Sequence, residues 1–325
     1  MKVTIIIPNY NGRHFMAACL DSLRNQTYRD FQIVIVDNAS SDGSLEFLRA
    51  NYPEAHLLPL DKNYGFSKAV NAGIEYARTP YVILLNNDTA ADKDYVSQMV
   101  RAIESAPDIF SVSSKMIQMY HPELIDSTGD LYTVLGWGIC RGNGQPVSKY
   151  TVSDRIFTAC AGAAIYRRSV FQEIGLFDEH HFAYLEDIDI GYRAQIYGYR
   201  NIFCPGALVR HVGSGTSGSK YNSFKVKLSA RNSVYLNYKN MPAPFLIINA
   251  LPILAGHIIK AVFFISKGFG RDYLRGLAEG LSTFPKCRKV PFKCSHMGNY
   301  IKIEARLILN TFSYIKIYLC RLTGR

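Results

Sequence analysis

Polar side chains suited to holding a ligand directly follow an apolar stretch in the sequence VILLNNDT. Four aliphatic residues, Val82–Leu85, run into Asn86, Asn87 and Asp88. A short apolar run bounded by turn-forming residues is typical of a buried strand of a parallel sheet, and open α/β sheets bind ligands at the carboxyl ends of their strands. Asp88 can therefore hold a ligand there, or it can only cap the following turn, as Asp often does. The residues alone leave both roles open.

The other predicted strands of the N-terminal region end in the same kind of residue, namely Asn9, Asp37 and Asn63. The sequence has neither a G-x-G-x-x-G turn after the first strand nor a G-x-x-x-x-G-K-[ST] loop. This argues against a dinucleotide-binding Rossmann domain and against a P-loop NTPase. A ligand at this edge is therefore held by carboxylates and amides. For Asp37 the alternative is an Asx-turn that opens the sequence DNASSDG.

A second group of acids, Glu186, Asp187 and Asp189, precedes a predicted amphipathic helix over Ile190–Tyr197. A carboxylate within hydrogen-bond reach of a hydroxyl can act as a general base. The helix dipole also favours negative charge at this place, so part of the group can serve the helix alone.

Alternating strand and helix patterns over residues 1–113 predict the elements that position these side chains. Helices with one apolar face alternate with apolar strands, and the connections are short. This order predicts an α/β fold with a mostly parallel central sheet and helices on both faces. The predicted strands are 3–8, 31–36, 56–60, 81–85 and 109–113, and the predicted helices are 15–26, 44–50, 67–78 and 94–105.

The region after residue 113 has a different pattern. Residues 114–165 are Gly-rich and are predicted to be irregular, with Trp137 between two glycines. Asn201–His211 is predicted to form two strands joined by a turn at Pro205-Gly206. The Gly/Ser-rich sequence 213–220 that follows is predicted to be a mobile loop.

The C-terminal third is both basic and apolar. The formal net charge of the 325-residue chain is +11, and between residues 219 and 325 the acids are Asp272, Glu279 and Glu304. This balance suits an anionic partner, and its place beside the most apolar segment favours an anionic membrane surface over nucleic acid. No basic stripe with interleaved stacking aromatics is found in the N-terminal domain, so no nucleic-acid partner is expected.

Pro244–Ser266 is almost continuously apolar. Its length permits a membrane span, which needs about 20 apolar residues. The internal His257 and Lys260 favour a segment that lies in the membrane interface or packs on the domain. Residues 299–325 are predicted to form a basic amphipathic helix. Seven cysteines without a C-x-x-C pair fit reduced thiols in a cytosolic compartment, and the first apolar run is too short for a signal peptide.

Six stretches carry a resemblance to a known family: TIIIPNYNG, VIVDNASSDGS, NYGFSKAVNAGI, LLNNDT, FAYLEDIDIGYRA and VRHVGSGT. In order and spacing they resemble the inverting family 2 glycosyltransferases of the GT-A fold, and most of all the bacterial rhamnosyltransferase-type branch that builds cell-surface polysaccharides. The resemblance covers about residues 1–240. It implies a nucleotide-sugar-binding half at 1–113, an acceptor-binding and catalytic half of the same domain at 114–240, and a helical membrane-associating region at 241–325.

The resemblance also implies a divalent cation, Mn²⁺ or Mg²⁺. Asp88 occupies the place of the D-x-D motif that holds the cation on the donor diphosphate, while Asn86 replaces the first Asp of that motif. His211 matches a position where some relatives supply an imidazole ligand, which would favour Mn²⁺. The alternative is that His211 is only packed. By the same resemblance, Asp37 accepts the imide N–H of uracil or thymine, and the nucleotide-binding set is Pro8, Asn9, Asn11, Asp37, Asn63, Gly65 and Asn87.

For catalysis, the resemblance implies Asp187 as the general base, with Glu186 or Asp189 orienting it or the acceptor. The residues assigned to the acceptor or the diphosphate are Asp189, Trp137, Arg210 and Arg231, and Lys220 is a further cation of the loop.

The sequence therefore predicts an inverting glycosyltransferase at the cytoplasmic face of a bacterial inner membrane, bound peripherally or monotopically. Its donor would be a nucleotide sugar, dTDP-L-rhamnose before a UDP-hexose, and its acceptor a polyprenyl-linked or growing glycan. The alternative is a non-catalytic sugar-nucleotide or polysaccharide-binding protein on the same fold. Whether the chain forms a homodimer is left open.

Overall fold

The computed structural model describes residues 1–213, 219 and 221–323, with side chains described as far as residue 319. The chain folds into two compact units. The first unit comprises Met1–Asp130, Cys140–Ala194 and Tyr199–Lys220, and the second comprises Leu131–Ile139, Gln195–Gly198 and Tyr221–Arg325. The predicted functional division, with boundaries at residues 113 and 240, concerns the roles of the segments and is not tested by this structural division.

The strands are β1 (Val3–Asn9), β2 (Phe31–Asp37), β3 (His56–Pro59), β4 (Tyr81–Leu85), β5 (Thr89–Ala91), β6 (Ile109–Gln118), β7 (Ile125–Ser127), β8 (Asp130–Tyr132), β9 (Gly138–Cys140), β10 (Asp154–Ile156), β11 (Ala163–Arg167) and β12 (Arg200–His211). The helices are α1 (Arg13–Arg24), α2 (Ser44–Asn51), α3 (Gly65–Tyr76), α4 (Tyr95–Glu104), α5 (Phe171–Ile174), α6 (Glu186–Ile196), α7 (Ser223–Asn240), α8 (Ala243–Ile248), α9 (Ala250–Ser266), α10 (Gly270–Thr283) and α11 (Met297–Thr323).

The first unit is built on a central sheet with the strand order β10-β12-β6-β11-β4-β1-β2-β3, to which β5 and β7 add at the side. Strands β3, β2, β1 and β4 are parallel neighbours. The side chains of β1 and β4 are buried on both faces, as the apolar runs predict for parallel strands, whereas those of β3 at the end of the sheet are not. Helix α1 buries Met16, Cys19, Leu20 and Leu23, which share one helical face. This arrangement confirms the predicted α/β class and brings the strand ends to one edge.

Two predictions about elements near the second acidic group are wrong. The helix begins at Glu186 instead of Ile190, so the acids form its first turn. The stretch 200–211 is one strand, β12, in which the pairing with β6 shifts register between Cys204 and Leu208. Proline is tolerated in a sheet where the ladder is already interrupted, so Pro205-Gly206 marks an irregularity within one strand and no turn.

The prediction that residues 114–165 are irregular is also wrong in part. Strand β6 continues to Gln118, and short strands follow at β7 and β10. These strands are only three residues long, which is too short for a period of two to stand out in the sequence.

The second unit is mostly helical and also contains most of the two-stranded sheet of β8 and β9. Helix α10 lies close against α7, because Cβ atoms added at Gly276 and Gly280 would collide with the backbone carbonyls of Lys227 and Arg231. The predicted apolar segment forms two helices, α8 and α9, separated at Asn249. Within the residues that the structure describes, no helix combines the length and the apolar character needed to cross a membrane.

Candidate active site

Three residues at the carboxyl ends of strands form one hydrogen-bonded chain. Asn9 and Asp37 stand opposite each other in the parallel register of β1 and β2. The Asn9 side-chain amide donates to Asp37 Oδ1 over 2.7 Å, and the Asn87 amide donates to Asn9 Oδ1 over 2.7 Å. All three side chains are buried. The strand ends thus bring together three residues of the predicted nucleotide-binding set.

The loops after β1 and β2 are tied together around Asp37. The Ser40 backbone N–H donates to Asp37 Oδ2 over 2.9 Å, and Ser40 Oγ accepts from the backbone N–H of Asn11 over 2.9 Å. Asp37 therefore makes a local turn through its side chain, as the Asx-turn alternative predicts. Each carboxylate oxygen has two lone pairs, so the turn leaves acceptor capacity for a ligand. Gly12 has to be glycine, since a Cβ atom there would overlap the Asn87 amide.

Asn38 organises the next loop and was missed in the sequence, although it directly follows Asp37. Its amide donates to Asn63 Oδ1 over 2.9 Å and to the carbonyl of Gly65 over 3.0 Å. Gly65 has φ +84°, and a Cβ atom there would lie 2.5 Å from the carbonyl oxygen of Phe182. Asn63 and Gly65, both of the predicted set, are thereby fixed by an internal network.

His211 lies between two carboxylates. Strand β5 pairs antiparallel with the end of β12 and places His211 opposite Thr89. His211 Nε2 is 3.2 Å from Asp88 Oδ1, and its Nδ1 is 2.8 Å from Asp126 Oδ2. Burial alone would lower the pKa of His211, but the hydrogen bonds to Asp126 and Asp88 and their negative charges raise it to about 10. Asp126 was missed, because a single Asp in an irregular stretch carries no signal of its partner.

The acids of the first turn of α6 have three different environments. Glu186 is buried, and burial followed by the charge of Asp187 raises its pKa to about 8. Its Oε2 atom has no hydrogen-bond partner among the described residues. Asp187 is half-buried, and its Oδ1 accepts from the backbone N–H of Ile188 over 2.8 Å. Asp189 is completely buried and accepts from both Nε and an Nη of Arg193.

These environments suggest different tasks. Arg193 also donates to the carbonyl oxygens of Gly175 and Leu176, so the Asp189–Arg193 ion pair fastens α6 to the preceding loop. Among the described ion pairs, Asp189 is the acid of this turn that pairs with an arginine of the helix, and Glu186 and Asp187 form no such pair.

The backbone before Glu186 is strained. Phe182, Tyr184 and Leu185 have φ values of 61°, 71° and 66°, a left-handed conformation that costs non-glycine residues free energy. The Phe182 carbonyl accepts from the backbone N–H of Ser67 at the start of α3, which helps to hold the loop. Such strain is concentrated at functional sites, and no pattern in the sequence indicates it.

One cluster that could hold a metal ion is found among the described residues. Side-chain ligand atoms of Asp130, Cys160 and Asp187 all lie within 4.8 Å of one another. The pair Asp88 and His211 offers a second donor set, one carboxylate and one imidazole. The cluster and the pair are linked electrostatically, since Asp126, the partner of His211, interacts with the charge of Asp130.

The remaining predicted residues lie elsewhere. Arg210 is exposed on β12. Trp137 and Arg231 belong to the second unit: the Trp137 indole donates to the carbonyl of Gly256 over 3.1 Å, and Arg231 is 3.1 Å from Glu279. In the predicted loop 213–220, residues 214–218 and Lys220 lie outside the described residues.

The mostly parallel sheet thus carries amides and carboxylates at its strand ends, and a separate pair of acids, Glu186 and Asp187, lies in the first turn of α6. The model of the family described as glycosyl transferase family 2 matches residues 4–175, and the chain belongs to this family. The protein is a glycosyltransferase, as the sequence predicts.

The chain is 30% identical over 240 residues to the N-acetylglucosaminyl-diphospho-decaprenol L-rhamnosyltransferase of Mycobacterium tuberculosis, over 66% of this chain and 77% of that protein. Among solved structures it resembles S. aureus TarS 1-349 in complex with UDP-GlcNAc, with a TM-score of 0.60 and 17% identity over 88% of this chain and 82% of that one. It also resembles the mannosyltransferase PcManGT from Pyrobaculum calidifontis in complex with GDP-Man and Mn²⁺, with a TM-score of 0.56 and 15% identity over 97% of this chain and 87% of that one. At these identities the structures show the fold, and the predicted GT-A fold is confirmed.

Proposed function

We propose that the protein transfers one sugar from a nucleotide donor, with inversion, to a polyprenyl-linked glycan at the cytoplasmic face of a bacterial membrane. The supporting observation is a set of groups here called the acidic row: Asp88, His211, Asp126, Asp130 and Asp187. His211 lies between Asp88 and Asp126, and ligand atoms of Asp130 and Asp187 lie within 4.8 Å of each other. The first members of the row suit a cation on the donor diphosphate, and its last suits the acceptor hydroxyl. A protein that only bound sugar nucleotides would need no base.

The donor would enter at the strand ends. Asp37 would accept the imide N–H of thymine or uracil, and its position is fixed by Asn9 and Ser40. We favour dTDP-L-rhamnose, with a UDP-hexose next, because the relative from Mycobacterium tuberculosis is named as an L-rhamnosyltransferase. The same name supports a lipid-linked acceptor that carries N-acetylglucosamine on a polyprenyl diphosphate.

Asp88 and His211 would hold a divalent cation, with Mn²⁺ favoured by the imidazole. Binding of the cation would release the proton that His211 keeps between the two carboxylates, because only a neutral imidazole can ligate a metal. A bound cation neutralises the charge that develops on the leaving nucleoside diphosphate. Asp126 holds His211 Nδ1, which turns Nε2 toward Asp88. Outer partners of this kind fix the orientation of a ligating imidazole.

Asp187 would take the proton of the acceptor hydroxyl while the oxygen attacks the anomeric carbon. The bond from that carbon to the diphosphate oxygen breaks in the same displacement, so the configuration inverts. Glu186, with its pKa raised to about 8, stays protonated at neutral pH. Its carboxyl group can therefore hold the acceptor by a hydrogen bond without competing for the proton.

Transfer with the purified full chain tests this function. The acceptor is N-acetylglucosaminyl-diphospho-polyprenol, and the donors are dTDP-L-rhamnose, UDP-glucose, UDP-galactose and UDP-N-acetylglucosamine, each with and without Mn²⁺. We expect Mn²⁺-dependent transfer from one donor, dTDP-L-rhamnose first, with the product linkage of opposite anomeric configuration by NMR. Tight donor binding without turnover of any of the four would contradict the proposal and favour the sugar-nucleotide-binding protein.

The second unit would reach the membrane that carries such an acceptor. Helix α9 exposes an apolar stripe of Leu251, Leu254, Ile258, Val262 and Ile265, each more than half exposed. Their spacing of three, four, four and three residues puts them on one face of the helix. The basic residues of the same unit suit anionic headgroups. A helix of this kind lies in the membrane interface with its apolar face inward.

Replacing Leu251 and Val262 together by serine should weaken binding to vesicles. We expect at least about tenfold less protein to sediment with phosphatidylglycerol vesicles, since burying one such side chain contributes about 1.5–3 kcal/mol. The matched control is Val152→Ser, an equally exposed aliphatic residue of the first unit. Equal sedimentation of all three proteins would show that the apolar stripe does not bind the membrane.

A further inference from the structure

We infer that Asn71 is a positioning residue for the acids of α6: it holds residues 177–185, the segment that leads into Glu186 and Asp187. This inference rests on the proposed function, in which Asp187 is the base and Glu186 holds the acceptor. Asn71 lies in the sequence NYGFSKAVNAGI, where no role is assigned to it. It would act on the acids through the backbone of the segment and not by touching a substrate.

The Asn71 side chain makes two hydrogen bonds to the backbone of one residue. Its Nδ2 donates to the carbonyl oxygen of Phe177 over 2.8 Å, and its Oδ1 accepts from the backbone N–H of Phe177 over 3.0 Å. Asn71 is only 2% exposed. Removing the amide would leave a buried donor and a buried acceptor without these partners, which is costly. Asn71 therefore fixes the start of the segment against α3.

Helix α3 holds the same segment at two further points. Lys68 Nζ lies 3.1 Å from Glu179 Oε1, to which Asn71 Nδ2 also donates over 3.2 Å. The Ser67 backbone N–H, which has no partner within the first turn of a helix, donates to the Phe182 carbonyl over 3.2 Å. Residues three and four apart share one helix face, so one face of α3 follows the segment along its length.

The segment has to be held because its far end is strained. Phe182 has φ 61° and ψ −61°, and the Ala183 backbone N–H donates to the His181 carbonyl over 2.7 Å. This is a γ-turn of the rare, strained form. Tyr184 and Leu185 follow with positive φ values and lead directly into the first turn of α6. Such a conformation persists only where the surrounding contacts determine it.

Gly65 shows how closely α3 approaches this turn. A Cβ atom there would lie 2.5 Å from the Phe182 carbonyl oxygen and 2.6 Å from Phe182 Cγ. The carbonyl of Gly65 also accepts from the Asn38 amide, so α3 begins at the predicted donor site. One helix thus starts among the predicted nucleotide-binding residues and holds the segment that ends at the acids. Asn71 is the buried side chain through which it does so.

The test compares Asn71→Ala with wild type in transfer to N-acetylglucosaminyl-diphospho-polyprenol. Alanine removes both hydrogen bonds to Phe177, so residues 177–185 should relax and the acids should lose their direction. We expect kcat to fall about tenfold to a hundredfold, because misplacing reacting groups by about 1 Å has an effect of this size. The Kd of the donor nucleotide should be unchanged. Amide hydrogen exchange should become faster in residues 177–187 and not in the rest of the sheet.

Gln26→Ala is the matched control, since Gln26 is also a completely buried amide of the first unit. Its Nε2 donates to the Asp92 carbonyl over 2.8 Å, and its Oε1 accepts from the Val96 backbone N–H over 3.0 Å. Gln26→Ala should lower the melting temperature about as much as Asn71→Ala and leave kcat unchanged. Equal losses of kcat in the two variants would make Asn71 a structural residue only and overturn the inference. Weaker donor binding that accounts for the whole loss in Asn71→Ala would overturn it as well.

Asn71→Asp supplies a readout that a merely structural role would not move. A protonated carboxyl group has one donor and one acceptor, like the amide it replaces, and can restore both bonds to Phe177. Burial and the nearby charge of Glu179, which Lys68 partly offsets, would keep this carboxyl group protonated at higher pH than usual. We expect the kcat of Asn71→Asp relative to that of Asn71→Ala to rise as the pH falls. Titration of the base is common to both variants and cancels in this ratio.

A ratio that does not change with pH would overturn the inference. If Asn71→Ala does not fold, the kcat of Asn71→Asp relative to wild type gives the same test. Activity of Asp187→Asn equal to wild type would overturn the proposed base, whereas an inactive Asp187→Asn beside a fully active Asn71→Ala would overturn only the role of Asn71. Hydrogen exchange needs no turnover, so unchanged exchange of residues 177–187 in Asn71→Ala would overturn that role independently of the reaction.

Discussion

Asp187→Asn is expected to abolish sugar transfer while donor binding is kept. A positioned general base contributes about 10²- to 10⁴-fold to a rate, and an amide cannot accept the acceptor proton. Since asparagine has nearly the same volume as aspartate and can still accept the hydrogen bond from the Ile188 backbone N–H, the first turn of α6 should keep its shape. Initial transfer rates and calorimetric titration with the donor nucleotide measure the two effects separately.

Two variants serve as controls for this loss. Asp61→Asn changes an exposed acid and should leave transfer unchanged. Glu186→Gln keeps a neutral, hydrogen-bonding side chain and should retain more activity than Asp187→Asn, because Glu186 is expected to act in its protonated form. Asp187→Asn activity within tenfold of wild type, or a Glu186→Gln loss larger than that of Asp187→Asn, would show that the base has been wrongly assigned.

Asp88→Asn is expected to give the second large loss. Asp88 is the single carboxylate of the NND sequence, and stabilising a transition state with a cation contributes several kcal/mol. We therefore expect transfer to fall on the order of 10³-fold, since each 1.36 kcal/mol corresponds to a factor of ten. Electron paramagnetic resonance of free Mn²⁺ would report the loss of binding directly, independently of turnover.

The reciprocal variant is Asn86→Asp, which restores a carboxylate at the first position of the D-x-D motif. It should lower the Mn²⁺ concentration required for half-maximal binding, because a hard cation is held more tightly by more carboxylate charge. Unchanged Mn²⁺ binding in both Asp88→Asn and Asn86→Asp would mean that the cation is not held at this strand end.

The part of the site at the strand ends was predictable because two simple regularities meet there. An apolar run followed by polar residues locates a parallel strand and its end, and parallel strands place their ends at one edge. Asn9, Asp37 and Asn87 are distant in sequence, yet the register of the strands makes them neighbours. Their roles toward a nucleotide remain predictions.

The acidic row was predictable only in part. Asp126 and Asp130 lie on or beside strands of three residues, which are too short to show periodicity. The contact of His211 with Asp88 depends on the pairing of β12 with β5, another three-residue strand. Helix α6 begins four residues earlier than predicted. Its first turn is acidic, so a prediction based on an apolar helical face placed the start of the helix too late. Contacts between side chains that are brought together by such short strands can be identified only from the three-dimensional structure.

The exposed face of α9 has a consequence for how the reaction would respond to concentration. An enzyme held on the bilayer by the apolar stripe meets a lipid acceptor in two dimensions, whereas the nucleotide donor arrives from the water. Confinement raises the effective concentration of the acceptor without any new contact. Adding inert lipid at a constant total acceptor concentration would then slow turnover, because it lowers the density of acceptor in the membrane. Diluting the vesicles with water would not, because that density stays the same. The rate would follow the mole fraction of acceptor in the membrane.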